Sequence, residues 1–174
     1  ALVVLCVKGG APAEAAGQLA AALPSGTVVV SMQNGISNAA SAAQAGPGLV
    51  VLPGMVPYNV AELEPGAYHR GTAGRLVAQQ HEALAAWLPV FEAAGVPLDT
   101  VPDARPVQWG KLLLNLNNPV NALSGLPLRA ELMERGYRRC FAALMEEALD
   151  VLSRARIAPA QVAALPPRRL LAIL

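Results

Sequence analysis

Residues 15–61 contain no charged side chain. Such a stretch has to be buried, either in a bilayer or in a folded core. A membrane-spanning helix needs roughly 20 consecutive apolar residues. Pro24, Gly26, Gly35, Pro47 and Gly48 cut the stretch before any piece reaches that length. No membrane span is therefore expected, and a deeply buried α/β core is. Residues 2–7, 27–32 and 49–52 are short apolar, β-branched runs, and each reads as a buried parallel strand. Helical segments opened by Pro12 and Glu14, and following Gln33-Asn34-Gly35, lie between them. Strand, helix, strand, helix, strand is the order of a parallel sheet with crossover helices.

Residues 54–56 extend the third strand and residues 68–76 form a further extended segment. Residues 81–94 are expected to form one amphipathic helix ending at Gly95, and residues 96–101 a last strand. After Asp103 the strand-like patterning stops. One helix over residues 106–124 and another over 128–156 are expected. The fold class is thus α/β: a partial Rossmann-type parallel sheet over residues 1–103, followed by an all-helical domain over residues 104–174. The total of 174 residues suits one good-sized domain or two small ones.

The net charge of +1 offers no concentrated basic surface, so no nucleic-acid partner is expected. The densest basic stretch, residues 129–139, interleaves its arginines with Glu131 and Glu134 and reads as a solvated helix face. Cys6 and Cys140 have no metal or redox spacing. They are expected to be reduced and packed in a cytoplasmic protein, and no metal site is expected. The opening residues, Ala-Leu-Val-Val, show neither Met nor a basic leader. Together with the apolar run at residues 170–174, this suggests the middle of a longer polypeptide.

The chemistry concentrates in residues 109–121. At about 100° per residue, Lys111, Asn115 and Asn118 share one helix face, while leucines cover the rest. Burying such polar groups without partners is costly, and Asn is a poor helix former. A polar ligand would compensate, and so would an inter-helix hydrogen-bond network. Pro119 leaves the Asn115 carbonyl without its helical donor and is expected to kink the helix at Asn118. Such a kink either opens backbone groups to a cleft or has no function. Only Lys8 and Lys111 are lysines, against eleven arginines. Lys, unlike Arg, can lose its proton near neutral pH when desolvated. Lys8 follows the first strand and Asn34-Gly35 the second. Both would lie at the carboxyl edge of a parallel sheet, where ligands bind, although either could be an ordinary loop residue.

Val7-Lys8, Gln33-Asn34-Gly35, Gly54-Met55-Val56 and Trp109-Gly110-Lys111-Leu-Leu-Leu-Asn115 together resemble the 2-dehydropantoate 2-reductases, also called ketopantoate reductases. The resemblance covers almost the whole chain. It implies a dinucleotide-binding domain, a helical domain and an active site in the cleft between them. It also implies NADPH-dependent reduction of ketopantoate to pantoate, toward pantothenate and coenzyme A. Lys111 would be the catalytic acid. Asn115 and Asn34 would bind substrate, and Lys8, Asn34 and Gly35 would contact NADPH.

The family's second helix-borne Asn falls on Pro119 here, which leaves Asn118 or Asn121 for that role. A Gln often found soon after the Lys8 position is replaced by Gly9-Gly10-Ala11. The Gly-rich fingerprint, and the Ser and acidic pair that hold substrate, would fall outside residues 1–174. Turnover by this portion alone is left open. The expected partner is a small ketoacid, and a homodimer is compatible with the reading. Two alternatives stand beside it: another NAD(P)-dependent ketoacid or hydroxyacid reductase of the same superfamily, and a non-catalytic NADP-binding scaffold.

Overall fold

The computed structural model describes residues 1–8 and 10–174, so Gly9 lies outside the described residues. The chain divides into two compact units, Ala1–Arg105 and Pro106–Leu174.

The first unit is built on a five-stranded sheet. Its strands are β1 (Leu2–Leu5), β2 (Val28–Ser31), β3 (Val50–Met55), β6 (Leu76–Gln79) and β7 (Leu98–Val101), in the spatial order β1-β2-β3-β6-β7. The first three pair in parallel, as the alternation of strands and helices predicts. Helices α1 (Pro12–Ala22) and α2 (Asn38–Ala45) cross over between them. Strand β2 shows why its sequence carries no polar alternation. Val29 faces Ala16 of α1 and Ala42 of α2, whereas Val28 and Val30 face the opposite core with Leu84 and Phe91. Both faces are covered, so every position must be apolar or satisfied.

Four expectations need correction in this unit. The sheet is mixed, because β3 and β6 are antiparallel through Gly54–Ala78 and Met55–Val77. No helix lies between them. The chain instead makes a hairpin of β4 (Val60–Glu64) and β5 (Ala67–Arg70), and a parallel pairing needs a crossover. This hairpin replaces the single extended segment expected at 68–76. Strand β1 stops at Leu5 and is not wholly buried. It pairs on one side only, and Val4 is exposed. The helix expected at 81–94 is two short ones, α3 (Glu82–Ala85) and α4 (Leu88–Ala93). Pro89 has no N–H for the carbonyl four residues back, so one helix cannot run through it. The two pieces still bridge β6 to β7, which are parallel.

The second unit is helical: α5 (Arg105–Asn115), α6 (Asn117–Ser124), α7 (Leu128–Met133), α8 (Arg135–Arg154) and α9 (Pro167–Ile173). Leu113, Leu149 and Leu152 form its core, with Trp109, Leu116, Ile157 and Leu171 packed around them. Each of the two long helices expected here is divided. Leu116 separates α5 from α6, one turn before Pro119, whose missing N–H would have bonded the Asn115 carbonyl. The interruption therefore falls at Leu116 and not at Asn118, which remains helical. Glu134, at φ −85° and ψ 122°, separates α7 from α8. The Arg138 guanidinium folds back and donates to the carbonyls of Leu132 and Met133 at 2.9 and 2.8 Å, satisfying the end of α7. With the helix broken there, residues 129–139 do not form one solvated face. Glu131 is fully buried. The cysteines depart from expectation as well. Both are free, but Cys6 and Cys140 are exposed rather than packed.

Candidate functional site

Polar groups suited to a ligand gather at one place in each unit. In the first, they lie where β1 and β2 end. A cleft of about 330 Å³ is lined by Cys6, Val7, Lys8, Met32, Gln33 and Asn34. Gln33 holds its two walls together. Its side-chain Nε2 donates to the Val7 carbonyl at 2.6 Å, and its Oε1 accepts from Ser31 Oγ at 2.9 Å. Gln33 and Ser31 are both buried, so these bonds are made away from competing water. Gln33 thereby fixes the end of β1 to the end of β2, and so sets the residues that follow, Lys8 and Asn34.

Lys8 and Asn34 are both exposed. The Lys8 carbonyl accepts from the Ala11 N–H at 3.0 Å, turning the chain toward α1. The Asn34 carbonyl accepts from Asn38 Nδ2 at 2.6 Å, and Gly35 adopts φ +97°, a conformation that favours glycine. This turn carries the chain from β2 toward α2. Cys6 is exposed as a residue, yet its thiol lies against the cleft wall, and partial burial raises its pKa.

In the second unit the group is carried by α5 and α6. Lys111 is half-buried, and burial lowers its pKa from the ordinary lysine value. None of the ion pairs among the described residues involves it. Asn115 is half-buried and Asn118 exposed. Asn121 closes the turn after α6. Its Nδ2 donates to the Leu126 carbonyl at 3.0 Å, and its own carbonyl accepts from Ser124 Oγ at 2.8 Å.

A second cavity, of about 260 Å³, lies between α5 and α8, lined by Trp109, Leu112, Leu116, Leu144 and Val151 among others. At about 100° per residue Trp109 and Leu116 lie on the side of the helix away from Lys111, with Leu112 between. Glu147 is the one ionisable group lining that cavity. Apart from Glu147 and the Trp109 indole the cavity's lining is apolar, which suits a polar substrate poorly. A β-carbon added to Gly110, beside Lys111, would press into the Ala160 carbonyl and lie 2.7 Å from Val162 Cγ2. The segment after α8 thus crosses α5 where only glycine leaves room.

Sequence reasoning missed the roles of four residues here. Gln33 read only as part of a turn and of the motif that carries the family resemblance, with no role of its own. Ser31 and Gln33 are two apart, however, so in a strand they share one face, and a polar pair on one face of a buried strand was a usable signal. Asn117 and Glu131, a buried hydrogen-bonded pair at 3.1 Å, left no such trace, because they are far apart in sequence.

Two family models match the chain. Residues 1–83 match "Ketopantoate reductase PanE/ApbA", and residues 103–172 match its C-terminal counterpart. The 2-dehydropantoate 2-reductase of Halobacterium salinarum is 32% identical over 130 residues, covering 72% of this chain and 42% of that protein. The crystal structure of a PanE/ApbA family ketopantoate reductase from Ralstonia eutropha JMP134 superposes with a TM-score of 0.82 at 29% identity, covering 99% of this chain and 58% of that one. D-mandelate dehydrogenase, in a ternary structure with NADH and anilino(oxo)acetate, shares the fold with a TM-score of 0.77 at 14% identity, covering 99% of this chain and 56% of that one. The chain thus spans less than two thirds of the length of each of these relatives. It belongs to the PanE/ApbA ketopantoate reductase family.

Proposed function

We propose that the full-length protein is a cytoplasmic, NADPH-dependent reductase of a 2-ketoacid, with ketopantoate as substrate and pantoate, a precursor of pantothenate and coenzyme A, as product. The observation that carries this is Lys111. It is a lysine without an ionic partner among the described residues, partly desolvated, on the face of α5 that also carries Asn115, with Asn118 following on α6. A cation held this way is a stronger acid than an ordinary lysine, as proton donation to a nascent alkoxide requires.

Bound NADPH supplies the hydride that reaches the ketone carbon. The residues of this chain do the rest. Lys111 Nζ hydrogen-bonds the carbonyl oxygen, stabilises the negative charge that develops there and gives up a proton. Asn115 and Asn118 offer donors and acceptors to the substrate's carboxylate and hydroxyl without adding a competing charge. Asn118 is preferred to Asn121 for this, because the Asn121 amide is engaged in the turn after α6. In the first unit, the cleft at the ends of β1 and β2 fits part of a dinucleotide. It lies at the carboxyl edge of parallel strands, with exposed Lys8 available to phosphate or ribose and Asn34 beside it. In this reading residues 1–103 belong to the dinucleotide-binding domain and residues 104–174 to the substrate domain.

The Lys111 chemistry would serve other 2-ketoacids equally, so a substrate panel belongs in the test. In the full-length enzyme, Lys111→Ala is expected to lower turnover of ketopantoate by about a hundredfold or more, the range for losing a general acid. Directly titrated NADPH affinity should stay within a few-fold. Near-normal turnover in that variant would remove Lys111 from the mechanism. Faster reduction of a different ketoacid would move the substrate assignment and leave the chemistry standing.

A further inference from the structure

Glu131 of α7 is completely inaccessible to solvent, and Asn117 at the start of α6 is 6% exposed. The Asn117 Nδ2 donates to Glu131 Oε2 at 3.1 Å. The remaining oxygen on each side chain, Asn117 Oδ1 and Glu131 Oε1, is buried with no hydrogen-bond partner. Two orphaned acceptors on the same interacting pair are a specific chemical problem. Read as a carboxylate, Glu131 would face the amide oxygen with nothing to donate. It would also hold a full charge in the interior with a single neutral hydrogen bond, an arrangement proteins avoid.

No cation resolves this. None of the ion pairs among the described residues involves Glu131. Helix α6 has no ionisable residue. On α7, Arg129 is exposed. On α8, Arg135 and Arg139 are exposed, while Arg138 donates to the carbonyls of Leu132 and Met133. A single proton on Glu131 would supply the one donor that the two orphaned acceptors lack. The acid O–H donates to Asn117 Oδ1 while Asn117 Nδ2 donates to the acid's other oxygen.

We infer that Glu131 and Asn117 form a neutral, two-point acid–amide pair, and that Glu131 is a positioning residue which fixes α6 against α7 through it. Helix α6 also carries Asn118 and Asn121, so the inference deepens the proposed substrate role. None of its readouts needs turnover or ligand, so failure of the pair and failure of the substrate assignment are distinguishable.

The test uses the full-length protein and the variants Glu131→Gln, Glu131→Leu and Asn117→Leu. Glutamine keeps a donor and an acceptor on the same atoms and should preserve the pair without a proton. Difference infrared spectra of wild type against Glu131→Gln at neutral pH should show loss of a protonated-carboxyl C=O band. Glu131→Gln should keep the amide-exchange protection of α6. The two leucine variants should speed exchange across α6 by about tenfold or more, because each leaves a buried polar group unpaired. Loss of carboxylate bands instead would overturn the neutral pair, and so would exchange in Glu131→Gln as fast as in Glu131→Leu. Wild-type protection in both leucine variants would overturn the positioning role. Should the leucine variants fail to fold, the spectra and the glutamine variant still decide.

Discussion

Replacing Gly110 by Ala opposes two effects of known size. Glycine within a helix costs roughly 1 kcal/mol relative to alanine, so propensity alone predicts a gain of that order. The added methyl, however, would land on the Ala160 carbonyl oxygen and 2.7 Å from Val162 Cγ2. The valine methyl can rotate away. The carbonyl cannot, because the Ala160 N–H donates to Pro106 at 2.8 Å, one turn earlier on α5. The crossing segment is thus tied to the same helix that receives the methyl. Overpacking that side chains can absorb costs about 1–3 kcal/mol. Breaking the Ala160–Pro106 bond adds about 1 kcal/mol. The clash therefore outweighs propensity, leaving a net loss of about 2 kcal/mol and a fall in Tm of roughly 10 °C for a small unit. Gly136→Ala in α8 is the control, since nothing lies within 4 Å of its added carbon. It should be neutral or stabilising. Urea and thermal unfolding followed by circular dichroism measure both. If Gly110→Ala were as stable as wild type, the segment after α8 would not be clamped to α5 and the steric argument would be wrong.

The clasp at the first unit's cleft predicts coupling. Gln33→Leu should cost about 2–3 kcal/mol, mostly by stranding the buried Ser31 hydroxyl, and adding Ser31→Ala should recover part of that loss. Additive losses in the double-mutant cycle would show that the two side chains do not act together. Lys111 carries a stability signature with a definite sign. Its folded pKa lies below the unfolded value, so below the folded pKa the half-buried ammonium opposes folding, and the penalty fades as pH rises toward the ordinary lysine value. Lys111→Met should therefore raise Tm at neutral pH, by about 2 °C or less given partial solvation, with the difference vanishing in alkali. In full-length enzyme the same shift should make turnover fall with rising pH earlier than an ordinary lysine would allow, which a kcat–pH profile reads directly.

What the sequence disclosed and what it concealed follow one physical distinction. Strand β2 was legible because burial on both faces demands an unbroken apolar run, and that demand is local. The parallel order of β1, β2 and β3 followed from the helices between them, also a local feature. Proline effects were legible in kind but not in place. Pro119 acts on the carbonyl four residues before it, so the helix divides at Leu116, while Pro89 divides a helix whose amphipathic spacing read as continuous. The antiparallel β3–β6 pair depended on seeing a hairpin in residues 60–70, where Val60, Leu63 and Tyr68 are exposed and so give no clean alternation.

Site residues divide in the same way. Lys111, Asn115 and Asn118 stood out because helical spacing alone gathers them. Glu131 did not, because its flanking arginines made it resemble a solvated face, and the break at Glu134 that turns it inward is capped by Arg138 from the next helix. A buried acid has to be recognised from the group that satisfies it, here an asparagine on a different helix. Composition can flag such a residue as a charge but cannot supply its partner. The polar groups a sequence hides best are therefore those paired across elements. In this chain one such pair lies at the start of the helix that carries Asn118.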